Sequence, residues 1–143
     1  MRPAALLLLV PLLAGCADDP RSDYCEVVEA HQAALTDMAA SEDPGAIFGA
    51  LDAYDDLHAA APRDIADDWT AVVEPLHALE DVLRDHGIDP SSYSAESPPE
   101  DLHDEGRADI EAAARTVGSQ QTVAAMEEVE QHALDVCGTP LSR

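Results

Sequence analysis

Lysine is absent from this sequence, and only seven arginines oppose 30 aspartates and glutamates, which gives a net charge of −23 at pH 7. Nucleic-acid binding needs clustered cations that pair with phosphates, so the composition excludes that class of function. Anionic lipid headgroups would also repel the chain, so charge does not hold it at a membrane surface. A cationic protein or envelope component is the partner that this charge favours.

Aromatic residues and glycines are also scarce, with one tryptophan, three tyrosines, one phenylalanine and seven glycines. The sequence contains no Gly-x-Ser-x-Gly, no glycine-rich phosphate-binding loop, no dinucleotide fingerprint and no His-Glu-x-x-His. We therefore predict no catalytic residues and no cofactor, and we expect a protein that is not an enzyme.

The one long apolar run covers residues 4–13 and follows a single positive charge. About ten apolar residues are too few to span roughly 30 Å of hydrocarbon as a helix, so the run predicts a secretory signal. The sequence Leu-Ala-Gly-Cys at residues 13–16 resembles the bacterial lipobox. That resemblance implies cleavage after Gly15 and a diacylglyceryl group on Cys16, which would anchor the chain on the extracytoplasmic face of the bacterial cell membrane. An ordinary secreted protein is the alternative.

Two cysteines, Cys25 and Cys137, remain as an even pair once Cys16 is assigned to the lipid. In an oxidising compartment, an even pair in a small domain predicts a disulfide. Antiparallel packing of the first and last predicted helices would bring the two residues to the same end of the protein. A nucleophilic Cys25 is the alternative, and it would need a free thiol and a base.

Apolar residues recur at helical spacing along most of the chain. A capping box of Asp23 and Glu26 predicts the start of the first helix, Asp43-Pro44 the start of the second, and Pro62 the start of the third. The predicted apolar stripes are Tyr24, Val27, Val28, His31, Leu35 and Met38; Ile47, Phe48, Leu51, Tyr54 and Leu57 or His58; and Ile65, Trp69, Val72, Leu76, Leu79, Leu83 and His86.

Pro75 lies inside the third stripe without shifting its phase, so it predicts a bend within a continuous helix. Gly87 ends that helix in a left-handed conformation, and residues 89–97 are predicted as a loop. A second capping box over residues 97–100 predicts the next helix. The remaining stripes are Leu102, Ile110, Ala113 and Val117, and then Val123, Met126, Val129, Ala133 and Val136. A break at Gly118-Ser119 separates them, and one bent helix is the alternative.

These elements predict an all-α fold, a compact bundle of four to five helices stapled by one disulfide between the first and last helix. The predicted organisation is a signal peptide over residues 1–15, a short tether over 16–22, a helical domain over 23–138 and a tail over 139–143. The mature length suits one domain with one core, and we expect a monomer.

Two Glu-x-x-His sequences, Glu74 to His77 and Glu100 to His103, match the spacing of metal ligands in di-iron bundles. In each, the apolar stripe runs through the leucine between the two residues, so the polar side chains flank the core. With so many glutamates, the motif also arises easily by chance. We therefore predict no metal ligands.

Two acidic clusters could collect divalent cations: Asp52, Asp55 and Asp56, and Asp64, Asp67 and Asp68. Their helical spacing points the carboxylates around a helix, whereas a calcium loop needs oxygens that converge. His31, His58 and His86 lie on or beside apolar stripes, which predicts packed residues; a catalytic or pH-sensing role is the alternative. Trp69 and Tyr54 are expected in the core.

Four short features are spread along the whole chain: the lipobox, Tyr24-Cys25, Ala61-Pro62 followed by Trp69, and Cys137-Gly138. Together they resemble the small helical lipoproteins predicted in many actinobacterial genomes. The resemblance implies location and fold and carries no activity. We expect a non-enzymatic interaction or envelope-associated protein. A small-molecule or metal-ion binding protein with a site between helices is the alternative.

Overall fold

A computed structural model describes residues 19–143, so the predicted signal peptide and Cys16 lie outside the described residues. Within this range the protein is all-helical, as predicted. The helices are α1 (Pro20–Ala39), α2 (Ala46–Gly49), α3 (Leu51–Ala60), α4 (Ala66–Asp85), a 3₁₀ helix (Pro90–Ser92), α5 (Asp104–Val117) and α6 (Gln120–Cys137). Across residues 19–143, no helix combines the length and the apolarity needed to cross a membrane.

Helix α4 is central, because α3, α5 and α6 all pack along it. The apolar residues of its predicted stripe are each at most 8 % exposed: Ile65, Trp69, Val72, Leu76, Leu79 and Leu83. The helix continues through Pro75, as predicted. Its first half contributes to the main core with α1, α3 and α6, and its second half forms a smaller cluster with Ile110 of α5.

Helices α5 and α6 follow one another along α4. His86 at the end of α4 lies beside Asp109 of α5, whereas Asp64, just before α4, lies beside His132 of α6. The predicted break between them is confirmed: α5 ends at Val117, and the Ser119 side chain caps α6 by accepting a hydrogen bond from the Thr122 amide. A side-chain cap satisfies an amide that a continuous helix would have bonded internally.

The predicted disulfide joins Cys25 of α1 to Cys137 at the end of α6, with the two Cα atoms 5.3 Å apart. A disulfide in a small domain indicates an oxidising, extracytoplasmic environment. Gly138, with φ of +66°, adopts the left-handed conformation that glycine tolerates best, and it ends the helix.

Residues 139–143, predicted only as a tail, pack back against the bundle. Leu141 is 2 % exposed and belongs to the main core. The Gln32 amide donates a 2.6 Å hydrogen bond to the Pro140 carbonyl, and the Arg143 amide donates to the Thr36 hydroxyl at 3.1 Å. The chain end is therefore part of the domain.

Helix α1 begins at Pro20, so the predicted start at Asp23 is wrong. Asp19 provides the cap, and its carboxylate accepts a hydrogen bond from the Arg21 amide at 3.1 Å. Proline fits the first helical position because its missing N–H would have no partner there. Residues 20–22 accordingly belong to the helix and not to the tether.

Three further starts differ from prediction. Asp43-Pro44 opens a turn, α2 lasts for one turn, and Ala50 separates it from α3. Pro62 also opens a turn, in which its carbonyl accepts from the Ile65 amide, and α4 begins at Ala66. The predicted capping box over residues 97–100 is wrong, because α5 begins only at Asp104.

The loop before α5 is stabilised by a turn and by one apolar side chain. The Leu102 amide donates to the Pro99 carbonyl in a turn, and the Leu102 side chain packs on the smaller cluster. Burying that side chain ahead of the helix favours a late start, and Asp104 and Glu105 then complement the positive end of the helix dipole.

Candidate functional site

Tyr24 and Trp69 form a buried polar contact in the main core. Both side chains are fully buried, and the Trp69 indole donates a 3.1 Å hydrogen bond to the Tyr24 hydroxyl. Burial raises the pKa of Tyr24, and the hydrogen bond from Trp69 partly opposes that rise. Tyr24 directly precedes Cys25 in the sequence, so its hydrogen bond with Trp69 joins α1 to α4 close to the disulfide.

Tyr54 packs against Trp69, with ring centroids 6.0 Å apart. Burial raises the pKa of Tyr54 to about 12, and the negative charge of Glu130 adds to the rise. Both Trp69 and Tyr54 are therefore core residues, as predicted.

His132 packs beside Tyr24 in the same region, and the sequence analysis did not single it out. Its ring meets the Tyr24 ring edge-on at 5.6 Å, and its Nε2 atom lies 3.6 Å from a carboxylate oxygen of Asp64. Neither ring nitrogen has a hydrogen-bond partner in the described part of the chain. His132 lies between the buried residues Val129 and Ala133, close to the end of α6. That position in the sequence could have indicated that its ring packs against the core.

The other paired histidines join neighbouring helices. The pairs are His31 with Asp56 at 2.9 Å, His58 with Thr70 at 3.0 Å, His77 with Asp55 at 2.8 Å and His86 with Asp109 at 3.3 Å. The hydrogen bond with Asp55 raises the pKa of His77; burial partly opposes this, and the charges of Asp55, Glu80 and Asp81 add to it. These contacts link α1 to α3, α3 to α4 and α4 to α5.

The first acidic cluster is divided by these pairs. Asp55 faces His77 on α4, Asp56 faces His31 on α1, and Asp52 is exposed. The carboxylates radiate around α3, as their spacing predicts, and do not converge on one point.

The two Glu-x-x-His motifs lie in different surroundings. His77 contacts Asp55, whereas His103 lines an open cleft of about 300 Å³ with His86 and Asp101. Among residues 19–143, no group of three or more histidine, cysteine, aspartate or glutamate side chains is placed to hold a metal ion.

Helix α6 carries the large apolar side chains that are exposed in the described chain: Val123 (48 %), Leu134 (46 %) and Val136 (36 %). Two of these, Val123 and Val136, were predicted to be buried, and that prediction is wrong. The buried residues of α6 are Thr122, Ala125, Val129 and Ala133.

Thr122 occupies the core position that the stripe assigned to its neighbour Val123. It can do so because its hydroxyl donates a 3.0 Å hydrogen bond to the Thr116 carbonyl, which offsets the cost of burying a polar group. Small buried residues at Ala125 and Ala133 complete a narrow contact face, so the larger apolar side chains remain outside.

Two clefts adjoin this exposed part of α6. The first has a volume of about 180 Å³ and is lined by Ile47, Tyr54, Val72, Leu76, Val117, Thr122, Val123 and Met126. The second has a volume of about 370 Å³ and is lined by Glu127, Glu130, Gln131, Leu134, Pro140, Leu141 and Ser142. The first is almost wholly apolar, and the second has acidic residues on its edge.

Comparison with protein-family models, with curated proteins and with solved structures found no match to this chain.

Proposed function

We propose that this protein is a lipid-anchored, non-enzymatic interaction protein on the extracytoplasmic face of a bacterial cell membrane, and that it binds a cationic protein or envelope component. The observation that carries the proposal is the charge: 30 acidic residues oppose seven arginines. A surface of this kind attracts cationic partners and accelerates their encounter.

The location is supported by the disulfide and by the lipobox. Cys25–Cys137 indicates an oxidising compartment. An acyl group on Cys16 would lie three residues before Asp19, the cap of α1, so the helical domain would stay close to the bilayer. Each buried methylene contributes about 0.8 kcal/mol, so two or three acyl chains give a stable attachment.

Affinity capture from membrane extracts tests the proposal. The full-length protein serves as bait, and an unrelated lipoprotein of similar net charge serves as the control bait. We expect at least one protein with a basic surface to be enriched on this protein over the control, and to be released when the salt concentration is raised. Equal capture by both baits would contradict the proposal.

One observation favours a second function, the binding of a small apolar molecule between helices. The apolar cleft between α2, α3, α4, α5 and α6 is open on one side and has a volume of about 180 Å³, which is similar to the roughly 150 Å³ of an enclosed cavity that accommodates benzene in an engineered protein. Addition of benzene would then raise the unfolding temperature of the protein, and Met126→Trp, which fills the cleft, would abolish that rise.

A further inference from the structure

The partner-binding surface can be placed on α6, and this placement rests on the proposed function. Val123, Glu127, Glu130 and Leu134 follow one another at spacings of four, three and four residues. Residues at these spacings lie on one side of a helix. All four are exposed, and we call them the α6 row.

A cleft lies beside each end of the α6 row. Val123 borders the apolar cleft of about 180 Å³, and Leu134 borders the cleft of about 370 Å³. The two residues are eleven positions apart, which corresponds to about 16 Å along a helix. Exposed apolar side chains beside concave surfaces are typical of sites where a partner inserts an apolar side chain.

The charges around the row select the kind of partner. Helix α6 contains no lysine or arginine, and its acidic residues are all exposed: Glu127, Glu128, Glu130 and Asp135. The row therefore presents two carboxylates between two apolar ends. A second copy of this chain would set the same glutamates opposite one another, and like charges at an interface are repelled.

We propose that the α6 row is the docking surface for a cationic amphipathic helix of the partner, whose apolar residues enter the two clefts and whose lysines or arginines face Glu127 and Glu130. Helix-in-groove recognition uses this combination of apolar anchors and flanking charge. The acidic side chains determine the sign of the partner's charge, and the clefts determine the spacing of its apolar residues.

Titration with designed peptides tests this placement. The probe is a helical peptide with two leucines eleven residues apart and lysines on the face between them. A second peptide has serines in place of the leucines, and a third has glutamates in place of the lysines. Calorimetry with the full-length, disulfide-bonded protein in a nonionic detergent measures affinity, and backbone amide NMR shifts map the site.

We expect the leucine–lysine peptide to bind at least tenfold more tightly than the serine–lysine peptide and the leucine–glutamate peptide, and to shift amides of residues 122–135. Val123→Ser with Leu134→Ser, and separately Glu127→Gln with Glu130→Gln, should each weaken binding about tenfold or more, which is about 1.4 kcal/mol. Val136→Ser, on the same helix but outside the row, and Glu100→Gln with Glu111→Gln, on other elements, are the matched controls and should change affinity less than twofold.

Equal binding of both lysine peptides, with shifts spread over the whole surface and no greater effect of the α6 variants than of the controls, would overturn the docking site and leave the proposed function standing. Failure of both lysine peptides to bind would overturn the docking site and the proposed function together. Self-association that Val123→Ser with Leu134→Ser abolishes would show that a second copy covers the row, and that result would also overturn the proposal.

Discussion

At the level of single residues, a buried polar contact joins two helices that are far apart in the sequence: the Trp69 indole donates to the Tyr24 hydroxyl. Tyr24 and Trp69 lie 45 positions apart, and their hydrogen bond joins α1 to α4, although α1 itself packs mainly on α3 and α6. The contact therefore forms only when the helices of the main core pack together. The surroundings of His132 depend on packing in the same way, since the ring of Tyr24 and the carboxylate of Asp64 come from other elements.

The pairing of His77 with Asp55 predicts a pH-dependent contribution to stability. Because the pKa of His77 is raised in the folded protein, the pair stabilises the fold fully below the unfolded pKa of about 6.5. This contribution is lost as the pH rises through the higher folded pKa. Asp55→Asn should therefore reduce the free energy of unfolding more at about pH 5.5 than at about pH 9.

The expected difference is below about 1 kcal/mol, because the His77 side chain is 41 % exposed and solvent screens the pair. Urea unfolding at the two pH values measures it. Asp52→Asn removes the same charge from an exposed position on the same helix and is the control. Equal losses for Asp55→Asn at both pH values would show that the pair makes no charge-dependent contribution.

At the level of the elements, an Asp-Pro sequence begins two helical segments of very different length. Asp19-Pro20 starts the 20-residue helix α1, whereas Asp89-Pro90 starts a 3₁₀ helix of three residues. The local cap is similar, since each aspartate accepts from the amide two positions later. The length of each helix depends on whether the cap is followed by an apolar stripe that can be buried.

The stripe of α4 was predicted correctly because six large apolar side chains share one phase, and the stripe of α6 was not. In α6 the choice between Thr122 and Val123 was settled by the Thr116 carbonyl, which satisfies the threonine hydroxyl. A hydroxyl partner contributed by the end of the preceding helix is a tertiary feature. Hydrophobicity alone therefore predicted that Val123 is buried. Because of that error, the exposed α6 row was not recognised from the sequence.

The packing of the segment before α3 against the 3₁₀ helix predicts a sharp contrast between two glycines. A Cβ atom at residue 45 would overlap the backbone carbonyl of Ser91, whereas a Cβ at residue 49 meets nothing within 4 Å. Gly45→Ala should lower the free energy of unfolding by about 1–3 kcal/mol, as overpacking does. Gly49→Ala should be neutral or stabilising by up to about 1 kcal/mol.

Chemical denaturation of the two variants measures the contrast. Gly49→Ala is the matched control, because it makes the same change four residues away within the same short segment. Equal stability of the two variants would mean that the backbone at Gly45 does not approach Ser91 as closely as described.

At the level of the whole molecule, the disulfide connects the ends of the helical domain across 112 positions of sequence. A cross-link over so long a loop acts mainly by restricting the unfolded chain. Replacing both Cys25 and Cys137 by alanine should therefore lower the free energy of unfolding by roughly 4–5 kcal/mol in the chain-entropy model. The all-helical fold should persist at moderate temperature.

Denaturant titrations with and without dithiothreitol measure this effect. The reductant should destabilise the natural protein to about the level of the double variant and leave the double variant unchanged. If the reductant had no effect on the natural protein, the disulfide would not contribute to its stability in solution.

The overall architecture was predictable because helical periodicity and cysteine parity act over the whole chain. The packing of the last five residues was not. Residues 139–143 have too few apolar residues to form a pattern, yet Leu141 fills the main core beside α1 and α6. A single buried side chain of this kind depends on a gap left by other elements, which the sequence does not describe.

We propose that Cys16 carries lipid, whereas Cys25 and Cys137 form the disulfide. Intact mass spectrometry of the protein extracted from membranes, before and after reduction, tests it directly. We expect a chain that begins at Cys16, carries a diacylglyceryl group with or without a further acyl chain, and gains the mass of two hydrogen atoms on reduction. An unmodified chain that retains residues 1–15, with a mass unchanged by reduction, would contradict it.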